Sequence, residues 1–259
     1  MRRPDYLAFG LAGYLAAFGS MVYFGFFLAN LLVPRRVDSG NAPWTGSPGQ
    51  ALAVDLALLL AFALMHSVMA RKAFKEHLLR IFPAALERSL YTLVAGLQIG
   101  LLCWAWQPLP ASVWEVPAPS EAWAASAASV AWAVLWLALW ALQGAGWAIV
   151  VAALATIGST HLFGLQQASS AARGLPYVAP PFALRGPYRR VRHPVYTGTL
   201  IAFWSTPTMS QGRMLLVGVL TIYLFIGLVF EERDLERQFG EVYREHRRRV
   251  PSLFPRLLK

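Results

Sequence analysis

From Ala122 to Ala172 the chain carries no Lys, Arg, Asp or Glu. A helix needs roughly 20 mostly apolar residues to cross a bilayer, so this run holds one span and more. It predicts a long helix from about Trp123 to Ile157, tilted in the membrane or protruding from it. Gly144, Gly146 and Gly158 lie where neighbouring helices can approach closely. The whole chain agrees: 57% of its 259 residues are hydrophobic and 14% are charged, against about 25% charged in soluble domains. The fold class that follows is an all-α integral membrane protein.

Further spans follow from the same criterion. Tyr6–Val33 is free of charge, follows Arg2 and Arg3, and is too long for the apolar core of a signal peptide, so it reads as a retained span. Ala51–Ala70 is a second span, with Asp55 near its start and His66 near its end, and Ser89–Trp106 is a third. Val195–Pro207 is apolar but covers only about 20 Å as a helix. With Met214–Phe230 and the turn between them, it reads as a helical hairpin that enters and leaves on one side. About four transmembrane helices, this C-terminal hairpin and a cytosolic C-terminal helix result. Residues 1–172 form the transmembrane region and residues 173–259 the region of loop, hairpin and tail, integrated in one domain.

Charge orients the arrangement. The loop Arg71–Arg88 holds five basic and two acidic residues, Arg173–Arg192 five basic and no acidic ones, and Pro108–Glu121 no basic residue. The positive-inside rule places the first two loops and the basic tail in the cytoplasm of a bacterial-type plasma membrane. Arg35 and Arg36 fall on the outer side. The net charge of +10 thus reads as a topology and membrane-surface signal, with the lipid bilayer as partner. No base-reading module is present, so nucleic acid is not. Cys103, the only cysteine, can form neither an internal disulfide nor a thiolate metal cage.

Two dense blocks carry the chemistry. The first runs from Gly186 to Gly198 and contains Tyr188, Arg189, Arg190, Arg192, His193, Pro194 and Tyr196. Ionisable groups beside a bilayer are costly and by default functional. Pro194 suits the first position of a helix, whose N-terminus together with the arginines suits an anionic group. The second block is Glu231-Glu232-Arg233-Asp234-Leu235, followed by Phe239-Gly240, Tyr243 and Val250-Pro251. Glu231 and Glu232 are expected to end the last apolar helix. There they oppose the macrodipole, so they need arginine partners or a ligand such as ribose hydroxyls.

Taken together, the two blocks resemble the isoprenylcysteine carboxyl methyltransferase superfamily of membrane enzymes. The resemblance covers about the last 75 residues. It implies a cytosol-facing pocket for S-adenosylmethionine shaped by Tyr188, Arg192, His193, Pro194, Tyr196 and Gly198, with Glu231 and Glu232 near the cofactor's ribose and amino-acid end. The segments His66-Ser67-x-Met69-Ala70-Arg71, Glu87-Arg88-Ser89-x-Tyr91, His161–Leu165 and Phe203–Met209 resemble the membrane-bound methanethiol S-methyltransferases and their NnrU-like relatives. That resemblance spans most of the chain and implies methyl transfer to a small thiol, methanethiol giving dimethyl sulfide, with another small or lipid-soluble thiol or a carboxylate as the alternative acceptor.

Such a transfer needs no metal, because the donor sulfonium is already activated. Nucleophile, methyl carbon and leaving sulfur must be held in line and kept from water. The thiolate is the nucleophile, and an alkyl thiol with a pKa of roughly 8.5 is little ionised at neutral pH. His66, His161 or His193 can take the proton; Arg71 and Arg88 can instead favour the anion. Tyr91, Phe203 and Trp204 are candidate walls of an apolar pocket. His77 and His246, in charged stretches, read as solvated.

Three other readings are available. A heme carrier would use His66 and His161 as axial ligands, a sterol-type reductase would bind a nicotinamide cofactor, and an accessory membrane protein would bind neither. The heme reading leaves the Arg-His-Pro and Glu-Glu blocks unexplained. The chain is short for the reductase, and the Glu-Glu block favours the methyltransferase. Gly144-Ala145-Gly146 follows no strand and sits in a Trp-rich helix, which excludes a dinucleotide loop.

Overall fold

A computed structural model describes residues 3–40, 42, 46–119, 127–180 and 185–255. It is all-α apart from one pair of very short strands. Among the described residues, four helices are long and apolar enough to cross a membrane: α1 (Arg3–Ala29), α2 (Pro48–Ala70), α5 (Ala127–Ile157) and α9 (Gln211–Phe239). The expected third span forms a helix of 19 residues, α4 (Glu87–Ala105), but it is not one of these four. The expected start of the long helix at Trp123 lies outside the described residues; its end at Ile157 is as expected.

The chain divides into two compact units. The first comprises residues 1–109 and 157–181 and contains α1, α2, α3 (Lys72–Leu78), α4, α6 (Ser159–Leu162) and α7 (Leu165–Ala172). Glycines set its closest approaches. A Cβ at Gly96 of α4 would lie 2.6 Å from the carbonyl of Ala16 in α1, and one at Gly13 of α1 would lie 2.5 Å from the carbonyl of Ser89. Small residues at such crossings let backbones touch. Ser47 caps α2 through a capping box with Gln50, and Pro48 opens the helix. Asp55, fully buried within α2, accepts a bond of 2.9 Å from the backbone N–H of Gln107 just beyond α4. A carboxyl group two turns into a membrane helix therefore has a structural role, that of fastening α2 to the end of α4.

The second unit comprises residues 110–156 and 182–259. It contains β1 (Ser112–Glu115), α5, α8 (Pro194–Trp204), β2 (Thr208–Ser210), α9 and α10 (Glu241–Arg249). The Pro108–Glu121 loop and the turn within the hairpin pair as antiparallel strands β1 and β2, extended by the bonds Val116 N–H to Pro207 carbonyl and Gln211 N–H to Ala111 carbonyl. The expected hairpin is present. The pairs His193 with Glu232, Tyr196 with Gly227 and Trp204 with Thr221 advance along α8 while receding along α9, so the two helices run antiparallel. α5 lies against α8 through Gly146, where a Cβ would be 2.6 Å from the Ala202 nitrogen and the Gly198 carbonyl. The Gln143 side chain donates to the Ala202 carbonyl at 3.1 Å. At Gly144 and Gly158, by contrast, an added methyl group would meet nothing within 4 Å.

One expectation is corrected here. The last apolar helix does not end at Glu231 and Glu232: α9 continues to Phe239 and stops at Gly240, whose φ of 56° is in the left-handed region. At 1.5 Å per residue α9 is roughly 44 Å long, longer than the hydrocarbon core it crosses. The two glutamates sit within the helix, and the helix dipole places no demand on them.

Candidate active site

The second unit gathers the two chemistry-bearing blocks at the base of the α8–α9 hairpin. Pro194 begins α8 and His193 precedes it. The segment before the helix is held by the chain beyond α10: the N–H of Arg192 donates to the Pro251 carbonyl at 2.9 Å and that of His193 to the Ser252 carbonyl at 3.1 Å. Thr197 Oγ1 donates to the Leu253 carbonyl at 2.5 Å. Arg192 adds side-chain bonds to the carbonyls of Val250 at 2.6 Å and Arg247 at 3.3 Å.

Glu232 is the centre of the cluster. Its Oε1 receives Arg192 through Nε at 3.0 Å and Nη2 at 2.8 Å, and lies 2.6 Å from His193 Nε2. Only 18% of its side chain is exposed. Glu231 differs: its Oε1 is 3.7 Å from His193 Nδ1 and 42% of its side chain is exposed. The His193 ring is thus bracketed by two carboxylates. Burial disfavours its charged form, but hydrogen bonds and charge from Glu231 and Glu232 outweigh burial and hold its pKa above the ordinary histidine value. The same two carboxylates engage both ring nitrogens.

Around this centre Tyr196 meets the His193 ring edge-on at 5.6 Å. Tyr188 is half-buried, and burial followed by the charge of Glu231 raises its pKa. Tyr243, fully buried on α10, faces Glu232; burial and that carboxylate raise its pKa too. His246 corrects an expectation. It is not solvated but buried, one helical turn from Tyr243, and burial with the nearby Arg192 and His193 charges lowers its pKa. Gly198 serves as the packing contact with α5 described above. Phe203 is buried and Trp204 half-exposed, its indole N–H 3.1 Å from Thr221 Oγ1.

The first unit holds a second cluster. His66 Nε2 lies 2.6 Å from the Tyr91 hydroxyl. The Arg88 guanidinium sits over the Tyr91 ring at 5.6 Å, while its Nε donates to the Leu162 carbonyl at 2.8 Å. That bond carries Arg88 from α4 to the α6 turn, where His161 Nδ1 is hydrogen-bonded to the hydroxyl of Tyr177. Burial, then the Arg88 charge, lowers the His161 pKa; burial raises that of Tyr177 against the same charge. The α4–α7 framework fixes these groups: Ser89 Oγ donates to the Gly164 carbonyl at 3.2 Å, and Thr92 Oγ1 to that of Phe163 at 3.0 Å. Gly164 has φ of 85°, and a Cβ there would meet the Ser89 nitrogen at 2.6 Å. Arg71 is exposed at the junction of α2 and α3.

Comparison with known proteins shows the family of the chain. Over 98% of each chain, this sequence is 40% identical to "Methanethiol S-methyltransferase" of Mycobacterium tuberculosis. It is 39% identical to "Methanethiol S-methyltransferase 2" of Bradyrhizobium diazoefficiens, over 97% of this chain and 90% of that one. The chain belongs to the methanethiol S-methyltransferase family. It is a membrane methyltransferase. Residues 138–242 match the phospholipid methyltransferase family model, a stretch that contains the whole α8–α9 hairpin with His193, Glu231 and Glu232. Nurim of Bos taurus is 30% identical over 91% of each chain. No solved structure matches the chain.

The motif resemblance points to this same methyltransferase family. It does not point to Tyr177, which stands in a loop without periodicity. Nor does it point to the tail carbonyls of Pro251, Ser252 and Leu253, because backbone acceptors leave no trace in residue identity.

Proposed function

We propose that the protein transfers the methyl group of S-adenosylmethionine to methanethiol, giving dimethyl sulfide. Family membership supports the reaction, and the half-exposed Glu231 beside the closed Arg192–His193–Glu232 cluster is the observation that carries the cofactor site. The residues fit the group. Glu231 offers an acceptor for ribose hydroxyls or the amino group. Arg189 and Arg190 are exposed and have no ion pair among the described residues, which suits the carboxylate. The first turn of α8 adds backbone N–H groups, and Tyr188 and Tyr196 offer aromatic walls.

The cofactor, when bound, supplies a methyl group on a positive sulfur. The protein's own residues hold it. Glu232, His193 and Arg192 fix the pocket floor, and Glu231 is the carboxylate that contacts the ligand. Gly198 acts by letting α8 seat on α5, and Pro194 by starting the helix. The first unit carries a separate cluster of proton-accepting and cationic groups, His66, Tyr91, Arg88 and His161. The basic loops at Arg71–Arg88 and Arg173–Arg192 support a cofactor region on the cytoplasmic side of the plasma membrane.

Headspace gas chromatography tests the reading. Detergent-purified protein given S-adenosylmethionine and methanethiol is expected to release dimethyl sulfide only when both are present. Tight S-adenosylhomocysteine binding without that product would keep the cofactor and replace the acceptor. The absence of both product and binding would overturn the proposal.

A further inference from the structure

Gly227 stands one helical turn before Glu231 in α9, and positions four apart are neighbours on one helix face, about 5–6 Å from each other. No side chain fills the place beside it. Apart from its own helix, a Cβ at 227 would meet one atom within 4 Å among the described residues, the Tyr196 hydroxyl oxygen at 3.5 Å. The glycines of the helix crossings differ. At Gly13, Gly96 and Gly146 a Cβ would run into the backbone of another helix at 2.5–2.6 Å, so close packing accounts for them. Gly218 of α9 meets nothing within 4 Å, and nine residues from Gly227 it lies on the opposite side of the helix. Of these glycines only Gly227 joins open room to a polar atom.

The polar atom is well placed. Tyr196 reaches Gly227 from α8, three residues after His193, and its ring meets the His193 ring edge-on at 5.6 Å. His193 lies 3.7 Å from Glu231 in turn. Hydroxyl, gap and carboxylate thus form one short row along the α8–α9 hairpin, all within the second unit. The gap lies on the apolar side of Glu231, because Met214–Phe230 carries no charge.

We propose that this gap is the seat of the methyl acceptor, a small alkyl thiol. Its carbon end occupies the room that a side chain at 227 would take, and the Tyr196 hydroxyl holds its sulfur. The inference rests on the methyltransfer reading and assigns the residues that set its specificity. A phenol hydroxyl both donates and accepts, so it can hold a thiol or a thiolate. One helical turn separates the sulfur from Glu231, the carboxylate that contacts the cofactor. Seat and cofactor are then neighbours, as an in-line transfer requires. The apolar surroundings suit an alkyl group, and the size of the gap limits that group.

The test is steady-state kinetics of the full-length protein in detergent with methanethiol and 1-propanethiol, beside titration with S-adenosylhomocysteine. A methyl group at 227 fits the fold, since its one contact is at ordinary van der Waals distance, but it takes up the seat. Gly227→Ala is expected to raise KM for methanethiol about tenfold, the lower end of what one misfitting methylene does in a pocket. The ratio of kcat/KM values should shift at least about tenfold further towards methanethiol, the shorter acceptor. Affinity for S-adenosylhomocysteine should stay within about twofold, a difference well below 1.4 kcal/mol. Gly218→Ala, on the far side of the helix, should change none of these. Tyr196→Phe keeps the ring and removes the hydroxyl; it should raise KM for both thiols by a similar factor. An unchanged KM in either Gly227→Ala or Tyr196→Phe, or a loss of S-adenosylhomocysteine binding that matches the loss of activity, would overturn the seat and leave methyl transfer standing. A wild-type protein that binds S-adenosylhomocysteine but methylates neither thiol would overturn the thiol reading itself, and the seat with it.

Discussion

His193 and Glu232 stand thirty-nine residues apart in the chain and 2.6 Å apart in space. Through this pair the N-terminus of α8 is fastened to the lower part of α9, and the same carboxylate oxygen also receives Arg192. Glu231 and Glu232 therefore have different surroundings although they are neighbours in sequence. Glu232→Gln leaves two partly buried cations short of a counter-charge, and a lost charge-assisted bond of this kind costs about 1–3 kcal/mol. A clearly lower melting temperature in detergent is expected. Glu231→Gln should keep the melting temperature of the wild type and weaken S-adenosylhomocysteine binding about tenfold, or about 1.4 kcal/mol. Titration calorimetry beside a thermal melt separates the two, and reversed behaviour would refute the division.

The raised pKa of His193 gives stability a defined pH dependence. A histidine whose folded pKa lies above its unfolded value of about 6.5 stabilises fully below that value, and the contribution is lost as pH rises through the folded pKa. His161 and His246 have lowered pKa values, so their effect has the opposite sense: stability falls as pH drops below about 6.5. Melting temperature is expected to decline on both sides of a maximum. His193→Gln should flatten the alkaline side only. An alkaline limb that survives the substitution would assign it to another group.

Much of this arrangement is legible in residue identities, and the exceptions have physical reasons. Apolar length alone locates α1, α2, α5 and the hairpin, because a bilayer leaves few alternatives to a helix. The Arg192-His193-Pro194 and Glu231-Glu232 blocks stand out as costly charges beside apolar runs. The end of α9 escapes this criterion because hydropathy stops at Phe230 while helix formation does not. Glu, Arg, Leu and Gln are good helix formers, and no breaker comes before Gly240. His246 is masked by its charged neighbours, although its spacing of three from Tyr243 places both on one helix face. Tyr177 and the tail carbonyls depend on loop conformation, which no periodicity encodes.

The glycines of α5 offer a paired test of helix packing. At Gly146 an added methyl group would press against the backbone of α8 at 2.6 Å, and backbone yields less readily than a side-chain tip. Gly146→Ala is expected to cost about 1–3 kcal/mol, as overpacking does, and to lower the melting temperature. At Gly144 nothing lies within 4 Å, so Gly144→Ala should gain up to about 1 kcal/mol from helix propensity. Equal effects of the two substitutions would argue against the close α5–α8 contact.

The chain after α10 carries the last test. Ending the protein at Arg249 removes the carbonyls of Val250, Pro251, Ser252 and Leu253, and with them the acceptors for Arg192, His193 and Thr197. Each bond contributes about 0.5–1.5 kcal/mol, and none of them touches a membrane span. The spans should therefore insert as before, while the segment before α8 loses its fixed position. S-adenosylhomocysteine affinity is expected to fall at least tenfold by calorimetry, with expression and membrane extraction unchanged. Thr197→Val, which removes one of these bonds and leaves the tail in place, should give a smaller loss in the same direction. If the shortened protein binds with full affinity, the Arg192–His193 segment is held by α9 alone and the tail has no part in shaping the pocket.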